Sequence, residues 1–150
     1  MPHQVSKTFG HTLGWSVAFR QWRAASHCRF LHGYALAIRL TFEVQTLNAQ
    51  HWVIDFGGMK DLQKSLEEYF DHKTLIAHDD PDLDWFRDAH QRGFIDLRVV
   101  PATSCEAFAE QVFDLTNQWL AKRESEPSCK LIAVEVSEHG ANSASYRPTN

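Results

Sequence analysis

The sequence lacks the features of a membrane or secreted protein. No apolar run approaches the roughly 20 residues that a membrane-spanning helix needs. The first twelve residues, MPHQVSKTFGHT, contain no apolar core of a secretory signal, so we expect no signal peptide. Cysteine occurs only three times, and this odd number argues against a disulfide framework and favours a reducing cytoplasm.

Positive charge is also scarce. The 15 Lys and Arg residues are outnumbered by 19 Asp and Glu residues, for a net charge of −4. This balance disfavours partners such as nucleic acid or an anionic membrane surface. The sequence contains neither a P-loop nor a dinucleotide-binding fingerprint, and it has no repeat or linker. With 43% hydrophobic and 23% charged residues, it fits one globular domain over residues 1–150.

Apolar periodicity predicts an α+β fold. Period-2 alternation and short apolar runs predict strands at 15–22, 34–45, 52–56, 94–100 and 131–138. Helical spacing predicts helices at 57–70, 81–92 and 104–122. Residues 144–150 read as a loose tail. We therefore expect helices packed on a mainly antiparallel sheet.

Histidine is unusually frequent, with nine residues, and the densest reactive segment is His27-Cys28-Arg29-Phe30-Leu31-His32-Gly33-Tyr34. Because His32 and Tyr34 are two residues apart on a predicted strand, they point to the same face. A histidine on a rigid strand suits a zinc ion, and Cys28 among cationic neighbours suits a reactive thiolate. The alternative is a small buried cysteine beside hydrogen-bonded histidines.

Three further segments carry side chains suited to chemistry. Asp71 beside His72 can orient an imidazole for proton transfer, or the pair can be an ordinary polar helix end. Glu138 at a strand end can accept two N–H groups from a heterocycle, or it can be an exposed charge before a turn. Glu106 has the spacing of a capping box that starts at Thr103.

Taken in order, these segments resemble the 6-pyruvoyltetrahydropterin synthase / 6-carboxytetrahydropterin synthase family. The family pattern runs C-x₃-HGH, a DF turn, a helix, a DH pair, a T-x-E helix start, and a last strand ending in E-T before a tyrosine. The resemblance covers roughly residues 15 to 146. The matching segments are Cys28 with His32-Gly33-Tyr34, Asp55-Phe56, Asp71-His72, Thr103-Ser104-Cys105-Glu106, and Glu138-His139 with Tyr146.

The resemblance implies a tunnelling fold (T-fold), with an antiparallel four-stranded sheet and two main helices on one face. Subunits of this fold assemble into an oligomeric barrel, usually a homo-hexamer of two trimers, with sites between subunits. The implied reaction converts 7,8-dihydroneopterin triphosphate to 6-carboxytetrahydropterin, acetaldehyde and triphosphate, on the route to queuosine. Alternatives are other pterin side-chain chemistry, such as pyruvoyl formation, or a non-catalytic pterin- or purine-binding protein.

The resemblance also implies roles for particular residues. Cys28 would be the catalytic thiol, and Asp71 with His72 would relay protons to and from the substrate side chain. Glu138 would anchor the 2-amino and ring N–H groups of the pterin. Two helix-start positions would line the same pocket: Glu106, and Thr103 or Ser104.

The implied cofactor is Zn²⁺, which this family holds with the histidine of an F-x-A-[AS]-H strand end and both histidines of HGH. His32 matches the second of these ligands, and Tyr34 stands in the place of the third. The first place falls on Arg23 or on His27, depending on how the strand is aligned. The histidines available to complete the site are His27, His139 and His11.

Overall fold

The computed structural model describes residues 1–126 and 128–149, which form eight strands and three α-helices. The strands are β1 His3–Phe9, β2 Ser16–Phe19, β3 His32–Ala35, β4 Ala37–Val44, β5 Lys73–Ala77, β6 Leu97–Val100, β7 Lys130–His139 and β8 Asn142–Tyr146. The helices are α1 Lys60–Phe70, α2 Leu83–Gln91 and α3 Cys105–Ala121. None of the helices in the described ranges is long and apolar enough to cross a membrane.

The larger sheet is antiparallel, with strand order β1-β4-β7-β8. Its central strand β4 buries alternate residues, and Ile38, Leu40 and Phe42 are fully enclosed in the core. Helix α3 packs against β7 and β8 and contributes Phe108 and Val112 to the same core. This sheet confirms the predicted α+β fold with four antiparallel strands.

Helix α1 completes the helical layer. It contacts α3 and buries Leu62, Leu66 and Phe70, which recur at helical spacing along one face. These three side chains belong to the same core as the residues of α3 and the larger sheet. The expected arrangement of two main helices against one sheet is therefore present.

A second, mixed sheet was not predicted. Its strand order is β3-β2-β5-β6; β3 runs antiparallel to β2, whereas β5 and β6 run parallel. Helix α2, which confirms the helix predicted at 81–92, packs on β5 and β6. A small separate core of Ile76, Leu83 and Phe86 holds it there.

Three predicted segments differ from the structure. The single strand predicted at 34–45 is divided at Leu36, so that β3 belongs to the mixed sheet and β4 to the antiparallel one. Residues 52–56 form no strand, because Val53 and Ile54 are buried consecutively in a loop. Within the range read as a tail, β8 pairs with β7 and places Tyr146 opposite Val134. Strands β1 and β5 were not predicted.

A buried ion pair joins the end of β2 to the segment between β5 and α2. The Arg20 guanidinium donates to both carboxylate oxygens of Asp80, at 2.7 and 2.6 Å. The Asp80 side chain is completely buried, and it also accepts from the Asp82 backbone amide at 2.9 Å. Burial by itself raises the pKa of Asp80, but these donors outweigh it, and the pKa lies below the ordinary value for aspartate.

We predict that Asp80→Asn destabilises the protein by roughly 3 kcal/mol at neutral pH, because the Arg20 guanidinium then keeps only the exposed Asp82 carboxylate, at 3.0 Å, as its counter-charge. The wild-type carboxylate has a lowered pKa, so its contribution is complete above the ordinary titration range of aspartate and is lost as pH falls. Denaturant unfolding at several pH values should therefore show the difference between the two proteins shrinking in acid.

Asp84→Asn is the matched control, since the Asp84 side chain is 98% exposed and its ion pair is with Arg87, one turn along the same helix. We expect a change below about 1 kcal/mol at any pH. Equal destabilisation by the two substitutions would contradict a structural role for the buried pair.

Candidate active site

Cys28 lies in the loop between β2 and β3, just beyond the end of β2. The Ser26 hydroxyl accepts from the Cys28 amide and caps a 3-10 turn at His27–Arg29. The Gln21 amide donates to the Cys28 carbonyl at 2.9 Å and closes the loop on itself. Cys28 is half-buried, whereas His27 is exposed. The sequence therefore builds a short, hydrogen-bonded loop that presents one thiol.

Three rings meet where β2 and β3 pair. Phe19 lies opposite His32 in the ladder, and Tyr34 lies two residues along β3 on the same face. The ring centroids are 4.9 Å apart for Phe19 and His32, 5.6 Å for His32 and Tyr34, and 6.2 Å for Phe19 and Tyr34. We call Phe19, His32 and Tyr34 the ring cluster.

A hydrogen bond fixes the orientation of the His32 imidazole. Its Nδ1 lies 2.6 Å from the Phe30 carbonyl oxygen. Because a carbonyl oxygen only accepts, Nδ1 carries the proton and Nε2 is the acceptor nitrogen of the neutral ring. His32 therefore offers one lone pair from a fixed position.

Glu138 occupies a β-bulge. The pairing of β7 with β8 is interrupted between Ser137 and His139, and a bulge turns a side chain out of the regular ladder. The Glu138 carboxylate lies within electrostatic reach of the Cys105 thiol at the start of α3. Burial, followed by the negative charges of Glu138 and Glu106, raises the pKa of Cys105 to about 12.

Tyr34 lies within the electrostatic reach of several of these groups. Burial is the main cause that raises the pKa of its phenol, and the charges of Glu138, Cys28 and Cys105 add to it. The ring centroids of Tyr34 and His139 are 6.0 Å apart. The predicted thiol and the predicted anchoring carboxylate therefore both lie within electrostatic reach of the Tyr34 phenol.

The start of α3 differs from the predicted capping box. Ser104, not Thr103, is the N-cap, and its hydroxyl accepts from the Ala107 amide at 3.0 Å. The Thr103 hydroxyl is buried and donates to the Arg20 carbonyl. Glu106 is exposed in the first turn and does not cap the helix. Its carboxylate is therefore free of the structural role that the spacing suggested.

Asp71 and His72 are held at the other end of β2. The Asp71 carboxylate accepts from the Ser16 amide at 2.9 Å, and the His72 amide donates to the Ser16 carbonyl at 2.7 Å. The His72 ring nitrogen Nδ1 lies 2.9 Å from the Asp71 carboxylate. His72 has φ +58° and its side chain is 82% exposed. The pair is therefore built to present an oriented imidazole to the outside.

This pair does not join Cys28 within one chain. Ser16 and Phe19 are three residues apart, or about 10 Å along a strand. His72 borders a cleft with Ser16 and Ala18, which face away from the side of β2 that carries Phe19. One chain therefore contributes the thiol and the Asp71–His72 pair to two different surfaces.

The residues around His32 do not fit a zinc centre. In the described ranges, no three His, Cys, Asp or Glu side chains converge as metal ligands. The β2 position opposite His32 is Phe19, and neither Arg23 nor His27 takes it. Arg23 instead pairs with Asp79 at 2.9 Å.

Two other candidate histidines, His11 and His139, are held by hydrogen bonds of their own. His11 Nδ1 donates to the Ala35 carbonyl at 2.5 Å. His139 accepts from the Ala141 amide at 3.2 Å within its own hairpin. No donor set for zinc therefore forms around His32 in the parts of the chain that the structure describes.

Two residues of the site were not recognised as such in the sequence. Phe19 was an unremarkable strand residue until the register placed it opposite His32. Cys105 was given no role in the sequence, and the fold places it within electrostatic reach of Glu138 at the bulge of β7. The signal available in the sequence was the pair Ser104-Cys105 between Thr103 and Glu106. This pair is one residue longer than the family's T-x-E spacing, and it moves the helix cap by one position.

We predict that one cysteine of the native protein reacts rapidly with iodoacetamide at pH 7.5, and that it is Cys28. Burial, and then the Glu126 carboxylate, raises the pKa of Cys129 to about 11, and that of Cys105 is about 12, so both stay protonated. Mass spectrometry should show a single adduct that Cys28→Ala removes and Cys129→Ala leaves intact. Modification of Cys105 at a comparable rate would contradict its enclosed position.

Comparison with known proteins agrees with this architecture. A family model described as 6-pyruvoyl tetrahydropterin synthase matches residues 9–149. The 6-carboxy-5,6,7,8-tetrahydropterin synthase of Aquifex aeolicus is 27% identical over 161 residues, which cover 98% of this chain and 99% of that protein. The protein of the same name from Rickettsia conorii is 35% identical over 57 residues, which cover 37% of this chain and 41% of that protein.

Solved structures share the fold. An uncharacterized protein from Wolinella succinogenes superposes with a TM-score of 0.79 at 19% identity, covering 99% of each chain. A catalytic-residue mutant of Plasmodium vivax 6-pyruvoyltetrahydropterin synthase gives a TM-score of 0.71 at 14% identity, covering 100% of this chain and 99% of that one. The expected tunnelling fold and the expected resemblance are both confirmed, and the chain belongs to the 6-pyruvoyl tetrahydropterin synthase family.

Proposed function

We propose that the protein is a cytoplasmic lyase that acts on the side chain of 7,8-dihydroneopterin triphosphate. The proposed products are 6-carboxytetrahydropterin, acetaldehyde and triphosphate, in the biosynthesis of queuosine and other 7-deazaguanines. The observation that carries the proposal is that Cys28 and Glu138 both lie within electrostatic reach of Tyr34 in one chain. The relative from Aquifex aeolicus, aligned over nearly the full length of both proteins, supports this product over pyruvoyl formation.

Glu138 is the proposed anchor for the pterin ring. A carboxylate in a bulge presents two acceptor oxygens, which match the 2-amino and ring N–H donors of a pterin. Glu106 at the start of α3 adds a second negative charge near the same thiol. Thr103 would line the same pocket and could only accept hydrogen bonds there, since its hydroxyl proton is donated to the backbone carbonyl of Arg20.

Cys28, Asp71 and His72 are the proposed proton-transfer groups. Cys28 is half-buried in the loop between β2 and β3, and Asp71 holds the exposed His72 ring through Nδ1. Because one chain presents these groups on different faces, we propose that a neighbouring subunit brings its His72 to the Cys28 of the first. The open edges of the antiparallel sheet, β1 and β8, suit such a homo-oligomer, for which we propose a hexameric barrel.

One observation favours a second function. A single imidazole stands where the family resemblance implies three zinc ligands. A site with the anchor but with altered side-chain chemistry suits a pterin- or purine-binding protein without turnover. Measurement of binding and turnover on the same variants separates the two functions.

The first experiment incubates the purified protein with 7,8-dihydroneopterin triphosphate, with and without added Zn²⁺, and identifies the products by mass spectrometry. We expect 6-carboxytetrahydropterin from the wild type. Cys28→Ala should lower turnover by at least about 100-fold while pterin binding is kept, because general acid–base groups typically contribute that much. Cys129→Ala, which removes a buried thiol of the same size far from the site, should leave turnover unchanged.

Glu138→Gln tests the anchor in the same assay. We expect pterin affinity to fall about 10- to 100-fold, because the glutamine amide has one acceptor oxygen where the carboxylate has two. Its NH₂ group would then face a pterin N–H, which is also a donor. Glu135→Gln, on the same strand, is the matched control and should bind normally. Unchanged binding by Glu138→Gln would overturn the anchoring role, and binding without product in the wild type would favour the second function.

The shared site is tested by subunit mixing. Cys28→Ala and His72→Ala are each expected to be inactive, but co-expression should restore about a quarter of wild-type turnover if the two groups come from different subunits. Activity then arises wherever an intact Cys28 meets an intact His72. If both variants assemble normally and the mixture stays inactive, the two groups do not act across a subunit boundary.

A further inference from the structure

The ring cluster occupies a position that is geometrically suited to three converging ligands. Phe19 and His32 are direct partners across two antiparallel strands, and Tyr34 follows on the same face. Their mutual centroid distances lie between 4.9 and 6.2 Å. Side chains of this size at such spacing would enclose a single ion if each ended in a donor atom.

Only one of the three side chains ends in a zinc-binding atom. Phe19 has no lone pair and is completely buried, and its ring meets Phe108 edge-on with centroids 5.0 Å apart. Tyr34 ends in a phenol, which is not among the histidine, cysteine and carboxylate ligands that zinc takes in proteins. His32 alone supplies a nitrogen, and one such ligand is too few for a bound ion.

We infer that the ring cluster is a zinc-free replacement of a metal centre, and that Phe19→His together with Tyr34→His converts it into a zinc site. The backbone already supplies the required geometry, because the exchange changes two side chains and leaves the strand register as it is. The His32 ring is also prepared for the role. Its Nδ1 proton is held by a carbonyl, the arrangement in which metal-binding histidines present Nε2 to the ion.

Metal binding by the ring cluster does not depend on the substrate. It does carry a consequence for the proposed reaction. The wild type would handle the substrate side chain with hydrogen bonds from its own residues, and its turnover would be unchanged by a chelator. The metal measurement therefore stands even if the proposed function fails.

The test equilibrates each protein with excess Zn²⁺, removes free metal by gel filtration, and measures bound zinc by mass spectrometry. We expect fewer than about 0.1 zinc ions per chain in the wild type and about one in the double variant, since three imidazoles and a water complete a tetrahedral site. With Co²⁺ in place of zinc, the double variant should also show the intense visible absorption of tetrahedral cobalt.

His32→Ala is the control in both backgrounds. It should abolish zinc binding by the double variant and leave the wild type, as before, without bound zinc. Because Phe19 is fully buried and its replacement can impair folding, Tyr34→His alone is a second variant; with two imidazoles it should bind zinc more tightly than the wild type. One zinc per wild-type chain that His32→Ala removes would overturn the inference, as would a folded double variant that binds none.

Discussion

The arrangement of the candidate site depends on the hydrogen bonding of β2 to a strand on each side. Strand β2 pairs antiparallel with β3 and parallel with β5, so its four residues fix the positions of both neighbouring strands. Its end at Phe19 sets the position of the loop that carries Cys28, and its start at Ser16 holds Asp71 and the His72 backbone. A strand cannot slip by one residue without turning its buried face outward, and Val17 and Phe19 are almost completely buried. Both reactive surfaces are therefore set by one register.

The negative charges of Glu138 and Glu106 determine which neighbouring groups of the site stay protonated. Glu138 and Glu106 lie near the Cys105 thiol, which stays protonated and so can donate a weak hydrogen bond to a carboxylate. Tyr34 likewise stays neutral under the same charges. With the neutral Tyr34 phenol and Cys105 thiol nearby, the Glu138 carboxylate is suited to accept N–H groups from an incoming heterocycle. An additional arginine at this point would instead have competed with such a ligand.

Sequence reasoning succeeded where local pattern and structure share the same cause. The spacing of Leu62, Leu66 and Phe70 reports the buried face of α1 directly, and the fold class followed from the order of such segments. Sequence reasoning failed where a structural feature depends on contacts between residues far apart in the chain. The alternation through Tyr34, Leu36 and Ile38 continues unbroken across the point at which the chain leaves one sheet for the other. Periodicity reports burial, and both sides of that junction are buried.

The candidate site likewise divides into features that the sequence predicts and features that only the tertiary structure determines. Cys28, Asp71, His72 and Glu138 were predicted because their residue types and order match a family, but which of them lie near one another depends on tertiary structure. The sequence left the first zinc-ligand position open between Arg23 and His27, because the loop between β2 and β3 can be aligned in more than one way. Pairing of Phe19 with His32 settles which residue faces His32, and no local pattern contains that information.

The ring cluster also explains how this strand pair holds together without an ion. A metal bound by three side chains ties strands together through its ligand bonds. Here Phe19 packs against the edge of Phe108 and beneath His32, and these aromatic contacts join β2, β3 and α3. Edge-to-face pairs are worth about 0.5–1.5 kcal/mol each beyond the area they bury. The loss of metal ligands therefore need not loosen the strand end, since the same positions gain contacts that hold the Cys28 loop and its thiol in place.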